Sequence, residues 1–162
     1  TPPWMSRVRS VARDLDTQLR VAGPGDAGLV ARLLYDFNTE FGDPTPPTEV
    51  LAGRLTGLLA HSDVVTVVAG EVAVGLVTFR PSPWYDGPVA LLVELYVQPH
   101  LRDRGIGGRV LAEVMRIAVE RGSEEMEINV DSVDTDTRRF YERHGFVNVE
   151  DDNQMLFYYR DL

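Results

Sequence analysis

The stretch that decides the fold is Tyr96-Val97-Gln98-Pro99-His100-Leu101-Arg102-Asp103-Arg104-Gly105-Ile106-Gly107-Gly108-Arg109-Val110-Leu111. It begins inside the apolar run Val89–Val97, which predicts a buried strand that Pro99 ends. From Gly107 to Arg121 the apolar residues recur at helical spacing, and Gly122 predicts the end of that helix. A glycine-rich turn therefore connects a buried strand to an amphipathic helix.

This turn has the properties of a phosphate-binding site. Backbone N–H groups at the start of a helix have no partners within the helix, and the helix dipole adds partial positive charge there. Gly105 and Gly107 have no side chains to hold a phosphate away from those groups. Arg102, Arg104 and Arg109 add positive charge in an acidic chain.

Two other phosphate-binding loops are excluded. A P-loop ends in Gly-Lys-Ser/Thr, whereas Gly108-Arg109-Val110 stands here. A dinucleotide-binding fold carries its glycines after the first strand of a long βαβ array, whereas these glycines follow a hairpin late in the chain. On these grounds alone, a glycine-rich helix start without a ligand remains the structural alternative.

The rest of the pattern predicts a charged N-terminal arm at residues 1–16 and one mixed α/β domain at residues 17–162. Strand–helix alternation in the second half indicates some parallel pairing. The predicted strands are Gln18–Ala22, Val64–Ala69, Val72–Arg80, Val89–Val97, Glu127–Asp131, Phe146–Val149 and Met155–Tyr159. The predicted helices run from a cap at Asp26 to about Phe41, from Thr48 to about Ala60, over Gly107–Arg121 and over Thr135–Arg143.

Composition excludes several classes of function. The chain has 162 residues and no cysteine, so disulfides, thiolate metal sites and a cysteine nucleophile are ruled out. The three histidines lack metal-ligand spacing, and we expect no metal. A net charge of −9 weighs against nucleic acid as a partner and suits a cationic substrate. The apolar runs are too short to span a membrane, no signal-peptide core is found, and we expect a cytoplasmic protein.

The quoted stretch resembles the acyl-CoA motif of the GCN5-related N-acetyltransferase (GNAT) superfamily, which is Val-x-Pro followed by Arg/Gln-x-x-Gly-x-Gly/Ala and a helix. The segment Arg138-Arg139-Phe140-Tyr141-Glu142-Arg143-His144-Gly145-Phe146 resembles the family's Phe-Tyr-x-x-x-Gly-Phe segment. The resemblance runs from about Gln18 to Tyr159. It implies a central mixed, mostly antiparallel sheet of about six to seven strands with four helices, in which the fourth and fifth strands splay apart.

The resemblance also implies the co-substrate and the residues that hold it. Acetyl-CoA would donate an acetyl group to a primary amine by direct attack, without a metal. Backbone groups of Leu95, Tyr96 and Val97 would pair with the pantetheine arm, and one N–H would polarise the acetyl carbonyl. The pyrophosphate would lie on the loop formed by Arg102, Asp103, Arg104, Gly105, Ile106, Gly107 and Gly108.

The same resemblance assigns roles to two residues, one within the last predicted helix and one directly before it. Tyr141 matches the family tyrosine that protonates the departing CoA thiolate and also borders the cofactor. Asp134 stands where the family often has an asparagine that hydrogen-bonds the cofactor. A carboxylate cannot donate that bond, so Asp134 is expected to cap the helix or to face a cationic acceptor.

Glu94 is the candidate general base, because it is the only charge within Val89–Val97. Burial in a strand would raise its pKa towards the range of a useful base. An alkylammonium with a pKa of about 10.4 is mostly protonated at pH 7, so a proton acceptor helps the reaction. Three roles stay open for Glu94: base or water relay, ligand of the substrate ammonium, and structure.

The acceptor is predicted less sharply than the donor. We expect a small cationic amine, polyamine-like or aminoglycoside-like, with a protein or peptide amine as the alternative. A non-catalytic acyl-CoA-binding regulatory module is the alternative from another class. The apolar segment Met155–Tyr159 is expected to pair within its own sheet or to help build a homodimer. The candidate substrate contacts are Phe37, Glu40, Trp84, Tyr85, Glu94 and Asp131, with Asp36 among the other acids.

Overall fold

The computed structural model describes residues 17–162, so the predicted arm at residues 1–16 lies outside the described residues. Within that range the chain forms two compact units, one up to Glu127 and one from Ile128. The helices are α1 (Ala27–Phe41), α2 (Thr48–Ala60), α3 (Ile106–Glu120) and α4 (Thr135–Arg143). The strands are β1 (Leu19–Val21), β2 (Val64–Ala69), β3 (Ala73–Arg80), β4 (Val89–Val97), β5 (Met126–Ile128), β6 (Val149–Glu150) and β7 (Asn153–Gln154).

The first unit is built on a five-stranded sheet in the order β1-β2-β3-β4-β5. The first four strands pair antiparallel with their neighbours. The Ala90 N–H donates to the Glu125 carbonyl at 3.1 Å, which joins the start of β4 to the start of β5. These two strands therefore run in the same direction, with α3 as the crossover between them, and the sheet is mixed as predicted.

Helices cover both faces of this sheet. Helices α1 and α2 pack against one face, and α3 packs against the other over Gly75. A Cβ added at Gly75 would lie 2.7 Å from Cγ1 of Val110, so the glycine lets α3 approach the sheet closely. The buried cluster under α1 and α2 comprises Ala22, Ala27, Val30, Ala31, Leu33, Leu55, Leu59, Val68, Val74, Leu76 and Tyr96.

A β-bulge interrupts the pairing of β3 with β4. Leu76 lies opposite Glu94, whereas Val77 lies opposite Leu92, so Val93 is an extra residue on β4. A bulge of this kind changes which face the following side chains occupy. Leu92 shares the α3 face with Val77, but Glu94 shares the α1 face with Leu76. Without the bulge, simple alternation would place Glu94 among the residues that pack against α3.

The second unit consists of α4 and a short hairpin. The hairpin pairs Val149 with Gln154 and Glu150 with Asn153. Its two-residue turn, Asp151-Asp152, has φ values of 47° and 62°, which is the left-handed geometry of tight β-hairpin turns.

The structure corrects the last two predicted strands. Phe146–Val149 and Met155–Tyr159 were expected to be strands, but the ladder comprises only β6 and β7, close to the turn that fixes their register. One further hydrogen bond joins the Met155 N–H to the Asn148 carbonyl at 2.7 Å. The central sheet therefore has five strands instead of six to seven, and β6 and β7 form a separate two-stranded sheet.

Smaller corrections concern the ends of elements. The Val72 N–H donates to Ala69 in the β2–β3 turn, so β3 begins at Ala73. Strand β5 ends at Ile128 instead of Asp131, because the Asp131 carbonyl accepts the Asp134 N–H in a turn. Asp26 precedes α1 as predicted, but its carboxylate accepts hydrogen bonds from the Gly23 N–H and from Arg20 and caps no helix N–H.

Candidate active site

The loop between β4 and α3 presents a row of unbonded backbone N–H groups. The first helical hydrogen bond of α3 runs from the Arg109 N–H to the Gly105 carbonyl at 3.1 Å. Among the described residues, no acceptor is bound to the N–H groups of residues 103–108. The φ angle is positive at Asp103 (59°) and Gly105 (79°) but not at Arg104 between them. Such alternation turns successive N–H groups towards one concavity, as in anion-binding nests.

Arg102 differs from the rest of the predicted loop. Its N–H donates to the Pro99 carbonyl at 3.3 Å. Its Nε donates to the Val97 carbonyl at 3.0 Å, and its two terminal nitrogens donate to the Glu40 carboxylate at 2.6 and 2.7 Å. The hydrogen bonds that Arg102 donates to Glu40 hold the pKa of Arg102 above its ordinary value. The Arg102 side chain is therefore engaged within the protein, which the sequence did not indicate.

The backbone of Leu95 and Val97 is turned away from β3. The Gln98 N–H donates to the Val72 carbonyl at 2.9 Å. In an antiparallel ladder, bonding towards a given neighbour alternates along the strand, so Tyr96 bonds to β3 while Leu95 and Val97 point to the opposite edge. Strand β5 lies beside that edge but has only three residues and joins β4 at its start. The predicted pantetheine-binding segment thus has backbone groups directed to the side of β4 opposite β3.

Tyr96 lies between β4 and α1. Its side chain is 4% exposed, and its ring centroid lies 5.3 Å from that of Phe37. Burial raises the pKa of Tyr96, and the carboxylates of Glu40 and Asp36 raise it further, while Arg102 opposes them. The Arg102 guanidinium lies 5.6 Å from the centre of the Tyr96 ring. Phe37 and Glu40, both predicted from the sequence, therefore meet Tyr96 at the end of α1.

Glu94 lies on the same face of β4 as Tyr96, because the two residues are two positions apart and the bulge at Val93 precedes both. Its side chain is partly buried, and burial raises its pKa above the ordinary value of 4.5. The predicted desolvation of Glu94 is thereby confirmed. A carboxylate with a raised pKa on the face next to α1 is chemically suited to accept a proton.

Trp84 and Tyr85 lie apart from these residues. Both precede the start of β4 in the loop after β3, and five residues at about 3.3 Å each separate Val89 from Glu94 along the strand, or about 17 Å. The Tyr85 hydroxyl donates to Glu125 at 2.6 Å, and Trp84 is 84% exposed. This loop lines a separate hollow of about 270 Å³ with Asp63 and Phe79, which the sequence did not suggest. The predicted substrate contacts of Trp84 and Tyr85 remain predictions.

The second unit contains the other predicted residues. Tyr141 is 9% exposed and packs edge-on against Phe140 at 5.2 Å and Phe146 at 5.5 Å. The Asp134 carboxylate accepts the Thr137 N–H at 3.1 Å, which confirms the predicted helix cap. The Asp131 side chain is exposed to solvent.

The described part of the chain contains neither a candidate metal site nor a helix suited to span a membrane. Between residues 17 and 162, no three histidine, aspartate or glutamate side chains are grouped so that they could hold a metal ion. Over the same range, no helix has both the length and the apolar character needed to cross a membrane.

Comparison with known proteins adds independent evidence. The sequence model described as "Acetyltransferase (GNAT) family" matches residues 30–146, more than two thirds of the 162 residues. The curated "Uncharacterized N-acetyltransferase YhfO" of Bacillus subtilis (strain 168) is 25% identical over 144 residues, which are 86% of this chain and 94% of the relative.

Solved structures give the same result. A "putative acetyltransferase" from Arthrobacter sp. FB24 is 51% identical and has a TM-score of 0.83 over 90% of this chain and 96% of that chain. An aminoglycoside acetyltransferase from an uncultured soil metagenomic sample, in complex with sisomicin, has a TM-score of 0.73 at 21% identity, over 91% and 97% of the two chains, and shows a shared fold alone. The predicted GNAT-like mixed α/β fold is thus confirmed. The chain belongs to the GNAT acetyltransferase family and is an N-acetyltransferase.

Proposed function

We propose that this enzyme transfers the acetyl group of acetyl-CoA to a small cationic amine by direct attack of the amine on the thioester. The observation that carries the proposal is the row of unbonded N–H groups at residues 103–108, which follows a strand whose Leu95 and Val97 backbone is turned away from β3. Phosphate and thioester ends of one elongated molecule would fit these two neighbouring features.

The loop fits a pyrophosphate on physical grounds. Successive N–H groups with positive φ at alternate residues form a concavity for anions, and the start of α3 adds partial positive charge. Gly105 supports this geometry because a left-handed conformation costs a residue with a Cβ about 1–2 kcal/mol. The exposed Arg104 and Arg109 add charge beside it.

Bound acetyl-CoA supplies an acyl group already activated as a thioester. The protein supplies position and proton transfer. The Leu95 backbone and the Val97 N–H would align the thioester arm along β4, whereas the Val97 carbonyl already accepts a hydrogen bond from Arg102. An N–H there would stabilise negative charge on the acetyl oxygen. No cysteine is present, so the amine attacks the donor directly without an acyl-cysteine step.

Glu94 would accept the proton of the amine, directly or through water. Deprotonating an alkylammonium with a pKa near 10.4 at pH 7 costs roughly 4–5 kcal/mol. A carboxylate whose pKa is raised by burial is a better acceptor than an exposed one. Tyr141, which aligns with the family tyrosine, would donate a proton to the departing thiolate of CoA.

The charges near Tyr96 favour a cationic acceptor. The sequence suggested that the charge of Glu40 could bind a substrate. In the structure this charge is balanced by Arg102. Asp36 and Glu94 remain as acids on this side of the sheet, and Phe37 adds an aromatic ring. An ammonium group would be attracted by both carboxylates and by the ring face.

CoA release tests the proposal. Purified enzyme is mixed with acetyl-CoA and a panel of amines, and free CoA is followed with a thiol-reactive dye. Polyamines or other cationic amines should give the highest kcat/KM, and Tyr141→Phe should lower kcat by about 10²-fold, within the range of acid–base catalysis. Tyr158→Phe is the matched control, because Tyr158 is 82% exposed and should leave the rate unchanged. Absence of both CoA binding and turnover would refute the proposal.

We further propose a cytoplasmic homodimer. The side chains of Met155, Leu156, Phe157, Tyr158 and Tyr159 are each 50–82% exposed in the second unit. A contiguous apolar segment of this kind is typical of a surface that a partner covers. Light scattering should give twice the chain mass of 18.1 kDa, and Leu156→Asp with Phe157→Asp should give the monomer mass. Fractionation of cells producing the tagged chain tests the location.

A further inference from the structure

The Arg102 side chain contacts two elements of the first unit, α1 and β4. It makes two hydrogen bonds to Glu40 in the last turn of α1. It makes a third to the carbonyl of Val97, the last residue of β4. Its guanidinium also lies 5.6 Å from the centre of the Tyr96 ring. Arg102 itself stands immediately before the unbonded N–H groups that begin at Asp103.

These contacts engage every nitrogen of the guanidinium. Nε, NH1 and NH2 each donate one hydrogen bond to a protein acceptor. The planar fork matches a carboxylate with two parallel bonds, which an ammonium group cannot reproduce. The charge of Glu40 balances that of Arg102, so this arginine has little net charge to offer a phosphate.

The ion pair also balances charge and holds the end of α1 at the face on which the acceptor is proposed to bind. The carboxylates of Glu40 and Asp36 both raise the pKa of Tyr96, and the charge of Arg102 lowers it. Loss of Arg102 would leave the Glu40 carboxylate uncompensated beside a buried phenol. It would also release the end of α1, which carries Phe37 against the Tyr96 ring.

We propose that Arg102 is a positioning residue for the acceptor, which fixes the end of α1 to the end of β4, and that its side chain is not a ligand of the CoA phosphates. This inference rests on the proposed function, because it assigns the α1 face of β4 to the acceptor. It separates Arg102 from Arg104 and Arg109, whose exposed side chains make no hydrogen bond or ion pair with any residue between 17 and 162.

Two single variants and their combination test the proposal. Arg102→Met and Glu40→Gln should each raise the KM for the amine by about 5–10-fold, which corresponds to about 1–1.4 kcal/mol, because each removes a partly exposed charge-assisted pair. The dissociation constant of CoA, measured by calorimetry, should change less than twofold in both. The double variant should be no worse than either single variant, because both remove the same pair.

Arg116→Met is the matched control. Arg116 makes a similar two-bond pair with Glu113, but on the exposed surface of α3. Its loss should change neither the amine KM nor CoA binding. Arg102→Lys keeps the charge without the forked guanidinium and should give an intermediate KM for the amine. This variant also tests the proposal if Arg102→Met fails to fold.

The opposite result is well defined. A CoA dissociation constant raised tenfold or more in Arg102→Met, with Glu40→Gln normal, would make Arg102 a phosphate ligand and overturn the proposal. Additive effects of the two variants, or a fall in kcat at constant KM, would overturn it as well. If the wild type turns over no amine, the proposed function fails, and the CoA binding data alone still decide whether Arg102 holds phosphate.

Discussion

The contact between Gly75 and α3 sets the position of the glycine-rich loop, and Gly75→Ala perturbs it directly. The added Cβ would lie 2.7 Å from Cγ1 of Val110, 3.5 Å from Cγ1 of Val114 and 3.7 Å from Cδ1 of Leu95. Val110 and Val114 are fully buried, and the closest distance is below any that real Cβ atoms show, so a side chain or the helix must move. Overpacking of this kind costs about 1–3 kcal/mol.

Part of that cost is offset. Alanine restricts the unfolded chain more than glycine does, which stabilises the folded state by about 0.4–1 kcal/mol where the backbone is compatible. We therefore expect a net loss of about 1–2 kcal/mol in the free energy of unfolding. For a chain of this size that corresponds to a fall of about 2–8 °C in Tm.

A double-mutant cycle isolates the contact. Val110→Ala alone removes two buried methyl groups and should cost about 1–3 kcal/mol. In the double variant the new Cβ occupies space vacated by Cγ1 of Val110, so the combined loss should be smaller than the sum by at least 1 kcal/mol. Urea unfolding of the four proteins measures each value. Strictly additive losses, or a Gly75→Ala protein as stable as the wild type, would refute the packing argument.

Local geometry and charge lead to four further predictions. The pKa of Glu94 is raised by burial, so kcat/KM should rise with pH through a pKa above 4.5, and Glu94→Gln should abolish that limb of the profile. The same raised pKa costs folded-state stability as pH rises through it, so Glu94→Gln should also be more stable than the wild type at neutral pH in thermal unfolding. Gly105→Ala places a Cβ on a residue with φ 79°, which costs about 1–2 kcal/mol. This change should weaken CoA binding in calorimetry. Gly28→Ala is the control and should leave CoA binding unchanged, because Gly28 has no positive φ and a Cβ there meets no atom within 4 Å. Arg20 and the Gly23 N–H lower the pKa of Asp26 to about 2, so the stability they give is present above pH 4 and lost as pH falls towards 2. The difference in free energy of unfolding between the wild type and Asp26→Asn is at most about 1 kcal/mol for an exposed pair. The corresponding difference in Tm should therefore shrink over that interval.

Elements with strong local patterns could be predicted from the sequence. The bounds of β2, β4, α2 and α4 agree with the structure. The two strands are apolar runs between polar, glycine or proline residues, α2 has its leucines at helical spacing, and α4 lies between the cap Asp134 and the stop Gly145. The β6–β7 hairpin could not be delimited in this way. Its register depends on left-handed φ values at Asp151 and Asp152, which residues other than glycine adopt infrequently.

Contacts between residues far apart in the chain could not be predicted from the sequence. Arg102 and Glu40 are 62 positions apart, and nothing in either segment indicates the other. The bulge at Val93 is equally hidden, since the run Val89–Val97 looks the same whether or not one residue lacks a partner on β3. The loop glycines were found because their conformational requirement is local, whereas the pairing of charges depends on how α1 packs against the sheet.

Under the proposed function, the bulge would let a single strand bind both substrates of the transfer reaction. Beyond Val93, the side chains of Glu94 and Tyr96 lie on the α1 face, while the backbone of Leu95 and Val97 points along the sheet to the β5 edge. A donor bound through backbone groups and an acceptor bound through side chains would then approach β4 from perpendicular directions without competing for the same atoms. Because the pleat alternates strictly, an unbulged β4 would turn Glu94 towards α3 and leave the acceptor face without its carboxylate. The extra residue at Val93, more than any residue of the loop, therefore determines on which side of the sheet the proposed proton acceptor stands.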